Sequence, residues 1–283
     1  MSVDRARVAR RRAADRAFTA FCTLSAVLAV GALAAILGSL AVEGVKGLTP
    51  AVFTADTPAP GSPGGLRNAI VGSVLLCVTA MLAAGTVGLL AGTWLAEYGG
   101  ERPYAKLVRL VNDVLLSAPS VLIGLFVYQV VVAPAHGFSG WAGAVALALV
   151  AAPVVTRTTE DVLKLQSRQL RESGLALGAP RWTTIRRILW TSAGSGIATG
   201  ALLAFARISG ETAPLLFTAL GNQFFSVDMG GPISALPTAI FTFALSAYDD
   251  WRRLAWAGAL LIAGAVLLIN VLVRVLAREP RRA

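Results

Sequence analysis

Long stretches of this chain run without a single Asp, Glu, Lys or Arg, among them Ala17–Val42 (26 residues), Asn68–Ala96 (29), Val114–Thr156 (43), Ile188–Ala206 (19) and Leu254–Val273 (20). A helix needs about 20 mainly apolar residues to cross the hydrocarbon of a bilayer. The 43-residue run is long enough for two crossings and a short turn. Charged residues make up 14% of the chain and hydrophobic ones 56%, where a soluble domain of this size carries about 25% charged. The expected fold class is therefore an all-α polytopic membrane protein with six transmembrane helices.

Basic residues set the orientation, because Lys and Arg concentrate in cytoplasmic loops. The first sixteen residues hold six Arg against two Asp, 97–109 holds three basic residues, 157–187 holds seven basic and three acidic, and 278–283 holds three Arg. The alternate loops are poor in basic residues: two in 43–67, none in 133–140 and two in 210–253. These counts fit spans at 18–42, 69–96, 111–133, 139–156, 188–209 and 254–276, with N- and C-termini cytoplasmic. The chain then divides into a basic tail (1–17), one membrane domain (18–277) with a cytoplasmic loop at 157–187, and a second basic tail (278–283). The segment 229–248 is apolar but contains Pro232 and Pro237. As a seventh span it would put the C-terminal Arg cluster outside, so it is expected to be interfacial or re-entrant.

Several function classes drop out. The net charge of +10 would suggest nucleic acid in a soluble protein, but here the Arg residues cluster at span ends. Cys22 and Cys77 both fall inside spans and imply no disulfide framework. His136 stands alone in a short turn. There is no Cys-His pair, no HExxH and no metal-ligand cluster. A chain that hydrolysed ATP should carry a Gly-Lys-Ser or Gly-Lys-Thr phosphate cradle; the three lysines, Lys46, Lys106 and Lys164, follow Val45, Ala105 and Leu163. The chain is expected to be no enzyme and to hold no cofactor, so any energy from ATP must come from a partner.

The polar loop 157–187 has helical composition interrupted by Gly174, Gly178 and Pro180 and reads as a short helix, a glycine turn and a second helix entering the membrane. An amphipathic surface helix on anionic lipid is the plainer alternative. The second feature is "ARISGETAPLLFTA" (206–219), which sets Arg207 and Glu211 four residues apart in apolar surroundings. A charge at mid-membrane costs about 2.5–3.5 kcal/mol on insertion scales. On one helix the two Cα atoms would stand about 6 Å apart, close enough to pair. Either the pair holds a span against its neighbours, or Arg207 faces a watery path and attracts an anion, for which its planar two-pronged donor is suited. Asp113 reads as an interfacial cap or pair partner near Arg109. Ser117, Pro119 and Ser120 are placed to kink span three. The tryptophans and tyrosines near span ends read as interface anchors.

Glu172-Ser173-Gly174, three residues, then Gly178 resembles the EAA loop of bacterial ABC importer permeases, with Ser173 and Gly174 in place of two alanines and Thr191 where a proline commonly follows. The stretches "NAIVGSVLLCVTAMLAAGTVGLLAGTWLAEYGG", "VNDVLLSAPSVLIGLFVY" and "ALLAFARISGETAPLLFTALGNQFF" resemble the PstA-type permease family of phosphate importers over about 65–274. The resemblance implies a type I ABC importer permease architecture and a multi-pass place in the bacterial cell membrane. It implies a loop in which Glu172, Ser173, Gly174, Gly178 and Ala179 dock on a cytoplasmic ATPase, and a role for Arg207 and Glu211 in phosphate translocation. It further implies a sister permease, two ATPase subunits that bind ATP and Mg, and an extracytoplasmic phosphate-binding protein. Sulfate or molybdate permeases and secondary transporters are the alternatives. The former are not expected to carry "RISGETAPLLFTA"; the latter should show inverted repeats, which are not evident.

Overall fold

The computed structural model describes residues 5–276; the chain's first four residues and residues 277–283, with the basic tail 278–283, lie outside the described residues. Within these bounds there are helices and loops and no strand. In chain order the helices are α1 (Arg5–Gly47), α2 (Pro50–Thr54), α3 (Arg67–Gly99), α4 (Pro103–Ser117), α5 (Ser120–Ala135), α6 (Gly140–Lys164), α7 (Arg168–Ala176), α8 (Arg181–Ser192), α9 (Gly194–Ser209), α10 (Ala213–Leu216), α11 (Leu236–Ala244) and α12 (Asp249–Leu276). Four of them, α1, α3, α6 and α12, are individually long and apolar enough to cross a membrane. Two bent pairs, α4 with α5 and α8 with α9, bring the number to six.

The bent pairs revise two of the expected spans. The segment 111–133 is not one rod: the chain turns by 106° between α4 and α5. Ala118 and Pro119 are extended at the break, since the residue before a proline is pushed out of helical geometry. The segment 188–209 likewise bends by 75° at Ala193. The basic segment expected as an N-terminal tail is helical from Arg5 onward, continuous with the first span. The segment 229–248 contains only the nine-residue α11, about 13 Å of helix, too short to cross. The glycine turn and second helix expected in 157–187 are present as α7, a turn and α8.

The hub is α6, whose buried face meets α3, α9 and α5. Small residues let backbones approach in a membrane bundle, where lipid removes the hydrophobic drive between helices. On α3, Gly88 and Gly92 supply that surface one turn apart. A Cβ on Gly88 would stand 2.6 Å from the Cβ of Val155, and one on Gly92 2.5 Å from the carbonyl of Thr156. In contrast, α1 packs chiefly on α12, and none of its apolar stretch is buried.

The loops after α10 close one end of the bundle. Ser139 donates its N–H to Thr218 and Gly140 to Gly231 (3.1 and 3.0 Å). Asn68 donates to the carbonyls of Asn222 and Gln223. The segment α7–α8, which follows the other end of α6, therefore sits at the opposite end from the 217–235 loop.

Candidate functional site

Arg207 lies in the last turn of α9, about 20 Å from the helix start and toward the end remote from α7. Its position suits a cation at a helix C-terminus, where the backbone dipole is negative. The buried residues of α9 are Gly200, Ala204 and Ile208. Ser195, Thr199, Leu203 and Arg207 recur every four residues along an uncovered line. Glu211 is not on the same helix, contrary to the simple i, i+4 expectation. The helix ends at Ser209, and Pro214 opens α10, so the chain turns at Gly210 and brings Glu211 back past the helix end. The pair is loose: Arg207 Nε stands 3.9 Å from Glu211 Oε1, with side chains 36% and 18% exposed. Among the described residues no hydrogen bond joins either side chain to another group.

The opposite end holds a different arrangement. The last five residues of α3, Leu95–Gly99, form a π turn, and a helix terminus leaves carbonyls without intrahelical donors. Three arginines from three elements converge there. Arg109 of α4 donates to the carbonyls of Leu95 (3.2 Å) and Gly100 (2.9 Å) and to the carboxylate of Glu160 on α6 (2.7 Å). Arg171 of α7 donates from Nε and Nη2 to the Glu97 carboxylate (3.0 and 2.8 Å), and also to the carbonyls of Leu163 and Gln166. Arg181 of α8 donates to the Glu97 carbonyl and stacks on Tyr98 at 4.4 Å. The carboxylate side chains are buried, Glu97 at 5% and Glu160 at 3% exposed. Lys164 completes the Glu160 cluster at 2.6 Å.

The turn between α7 and α8 follows from Gly178. Its φ of +75° is left-handed, a region open to glycine at little cost. The N–H of Ala179 donates to the Gly174 carbonyl (3.2 Å), the six-to-one bond of a Schellman cap. Glu172 and Ser173 are exposed; Glu172 pairs with Arg168 (2.8 Å) and Ser173 bonds the Leu170 carbonyl. Gly174 is buried instead, and a Cβ there would stand 2.5 Å from Thr184 Cγ2. Gly174 thus faces α8, not a partner.

Residues 88–282 match the model of the family described as binding-protein-dependent transport system inner membrane component. The chain is 52% identical to the phosphate transport system permease protein PstA of Pasteurella multocida, over 85% of this chain and 86% of the relative. It is 53% identical to PstA of Yersinia pestis, over 85% and 82%. The chain belongs to the PstA family of inner-membrane transport components. Solved structures share the fold: a bacterial alginate ABC transporter chain (TM-score 0.68, 14% identity, covering 95% of this chain and 96% of that one). An inward-facing MetNI methionine ABC transporter chain is also similar (TM-score 0.61, 18% identity, 74% and 95%).

In this PstA-family chain Arg207 and Glu211 come together, while the 172–179 set divides between exposed Glu172 and Ser173 and the structural Gly174 and Gly178. Asp113 is a pair partner, as expected, but of Arg157 (3.6 Å); Arg109 turns to Glu160 instead. Glu97 and Arg171 were missed. They are 74 residues apart, and the only sequence sign is that Glu97 is the first charge after a 29-residue apolar run.

Proposed function

We infer that this chain is a membrane-spanning subunit of an ATP-driven importer of inorganic phosphate. The observation that carries the reading is the loosely paired Arg207 on an uncovered face of a chain half identical to named phosphate permeases. A charge pair facing lipid is costly, so this face is covered by water or by protein. A sister permease facing it encloses a path between the two. Arg207 presents a planar fork that binds two phosphate oxygens at once. Glu211 neutralises Arg207 between substrates, so that the anion is not trapped, as conduction requires.

The assembly comprises the sister permease, two ATPase subunits that bind ATP and Mg, and an extracytoplasmic binding protein that delivers phosphate. Both chain termini are cytoplasmic. Exposed Glu172 and Ser173 lie on the surface that meets the ATPase, and Gly174, Gly178 and Ala179 hold that surface in shape. ATP binding on the partner biases two arrangements of the spans, and differential binding to those arrangements moves phosphate inward.

Radiolabelled phosphate uptake at low external phosphate tests this, in cells lacking the chain and supplied with either the unmodified gene or Arg207→Ala, with equal membrane abundance verified. The expected result is restoration by the unmodified chain and a loss of about 30–100-fold with Arg207→Ala, the value of a charge-assisted hydrogen bond. Restoration by both would make Arg207 structural. Restoration by neither would defeat the phosphate assignment and direct the assay to sulfate and molybdate.

A further inference from the structure

The importer reading leaves open how movement of the 157–187 loop reaches the membrane helices. Arg157 and Glu160, still within α6, pair with Asp113 and Arg109 of α4, but the charged contacts that α7 and α8 make with the bundle gather at one point. Arg171 spends its donors on the Glu97 carboxylate and on two carbonyls at the end of α6. Ten residues on, Arg181 donates to the carbonyl of the same Glu97. Trp190, also on α8, donates its indole N–H to Thr93 Oγ1 of α3 (3.1 Å). Both sides of the loop therefore grip the final turns of α3.

We propose that the π turn at Leu95–Gly99 receives the loop's motion, with Glu97–Arg171 the latch that makes α7 and α3 move as one body. Three physical points support it. First, the carboxylate is buried and meets a planar guanidinium through two nitrogens, a geometry that fixes orientation as well as distance. Second, a π turn is a local departure from α-helical bonding that recurs at functional sites, and here it places the Glu97 side chain and main-chain carbonyl within reach of different arginines. Third, α3 is joined to α6 through Gly88 and Gly92 at backbone-contact distance, and α6 packs on α9, which carries Arg207. A rigid displacement of the α3 end is thus passed to the helix that bears the anion-binding side chain. Arg171 and Glu97 are positioning residues that touch no substrate.

The proposal rests on the importer reading, and its test separates the two. The whole complex, with sister permease, ATPase and phosphate-loaded binding protein, is reconstituted in proteoliposomes, and phosphate taken up per ATP hydrolysed is measured. If the unmodified complex shows no phosphate uptake, the importer reading fails. If it does, Arg171→Gln is expected to keep the ATPase bound and hydrolysing while the uptake-to-hydrolysis ratio falls at least about tenfold, the smallest effect expected from a lost charged hydrogen bond. Arg171→Lys, which keeps the charge but not the fork, falls between. A ratio equal to that of the unmodified complex overturns the latch, as does a fall in uptake and hydrolysis together. A second measurement needs no latch variant. Spin labels at the exposed Gln169 of α7 and Glu101 just beyond α3 report their separation with and without ATP. The latch predicts an unchanged distance; a shift of about one helical turn, roughly 5 Å, overturns it even if Arg171→Gln fails to assemble.

Discussion

The two ends of the bundle hold charge in opposite ways. At one end Arg207 and Glu211 stand 3.9 Å apart on an uncovered face, with no hydrogen bond between them. At the other, Glu97 and Glu160 are buried, and the guanidinium groups of Arg109, Arg171 and Arg181 are engaged, largely by main-chain carbonyls. An ion whose donors are already used cannot bind a passing anion without breaking the fold; it can only hold position. An ion with a distant partner costs the fold little to redirect. The chain's electrostatics thus divide into a part that is available and a part that is committed.

The comparison breaks most visibly if a committed charge is removed. Glu160→Ala leaves Arg109 and Lys164 facing a site made for a carboxylate, and breaking a buried pair costs about 3–5 kcal/mol. The expected outcome is a large loss of folded protein at moderate temperature in detergent, read by size-exclusion after heating. Removing an available charge should do the reverse. Arg207→Lys keeps the cation but loses the fork, so thermal stability should match that of the unmodified chain while phosphate uptake falls by about tenfold, near the low end for charge-assisted bonds. Equal destabilisation by Glu160→Ala and Arg207→Lys would erase the distinction. The smallest effect is expected from Glu211→Gln. Freed of its counter-charge, Arg207 should hold the anion more tightly, lowering the half-saturating phosphate concentration by about fivefold, or about 1 kcal/mol, and slowing maximal uptake. An unchanged half-saturation would show that Glu211 does not compete for Arg207.

The same contrast explains what could be read from the sequence. Arg207 and Glu211 are legible because a charge inside an apolar run must have a reason. The spans are legible for the same cause. Glu97, Arg109, Glu160 and Arg171 sit where spans meet the cytoplasm, where charges are ordinary, and their pairing depends on helices distant in sequence. The 106° break before α5 had a visible sign in Pro119. The 75° bend at Ala193 lies in the run Ser192-Ala193-Gly194-Ser195-Gly196, a composition that favours kinks without fixing their angle, and Glu211's escape from α9 followed from Gly210 and Pro214 rather than from spacing. Gly174 shows the limit of a motif: its small size fits a docking surface and an internal contact equally well, and only the neighbouring Thr184 decides.

The packing of α1 on α12 has a consequence for how the protein is made. The first span leaves the ribosome roughly 200 residues ahead of the last, an interval of about 10–40 s at ordinary rates of synthesis. Throughout that time α1 lacks the helix on which, among the described residues, it chiefly packs. It must be held by lipid or by the insertion machinery until α12 arrives. The nascent chain is therefore closed by its two extremes, and a ribosome that stalls before α12 yields a bundle whose opening helix is never secured.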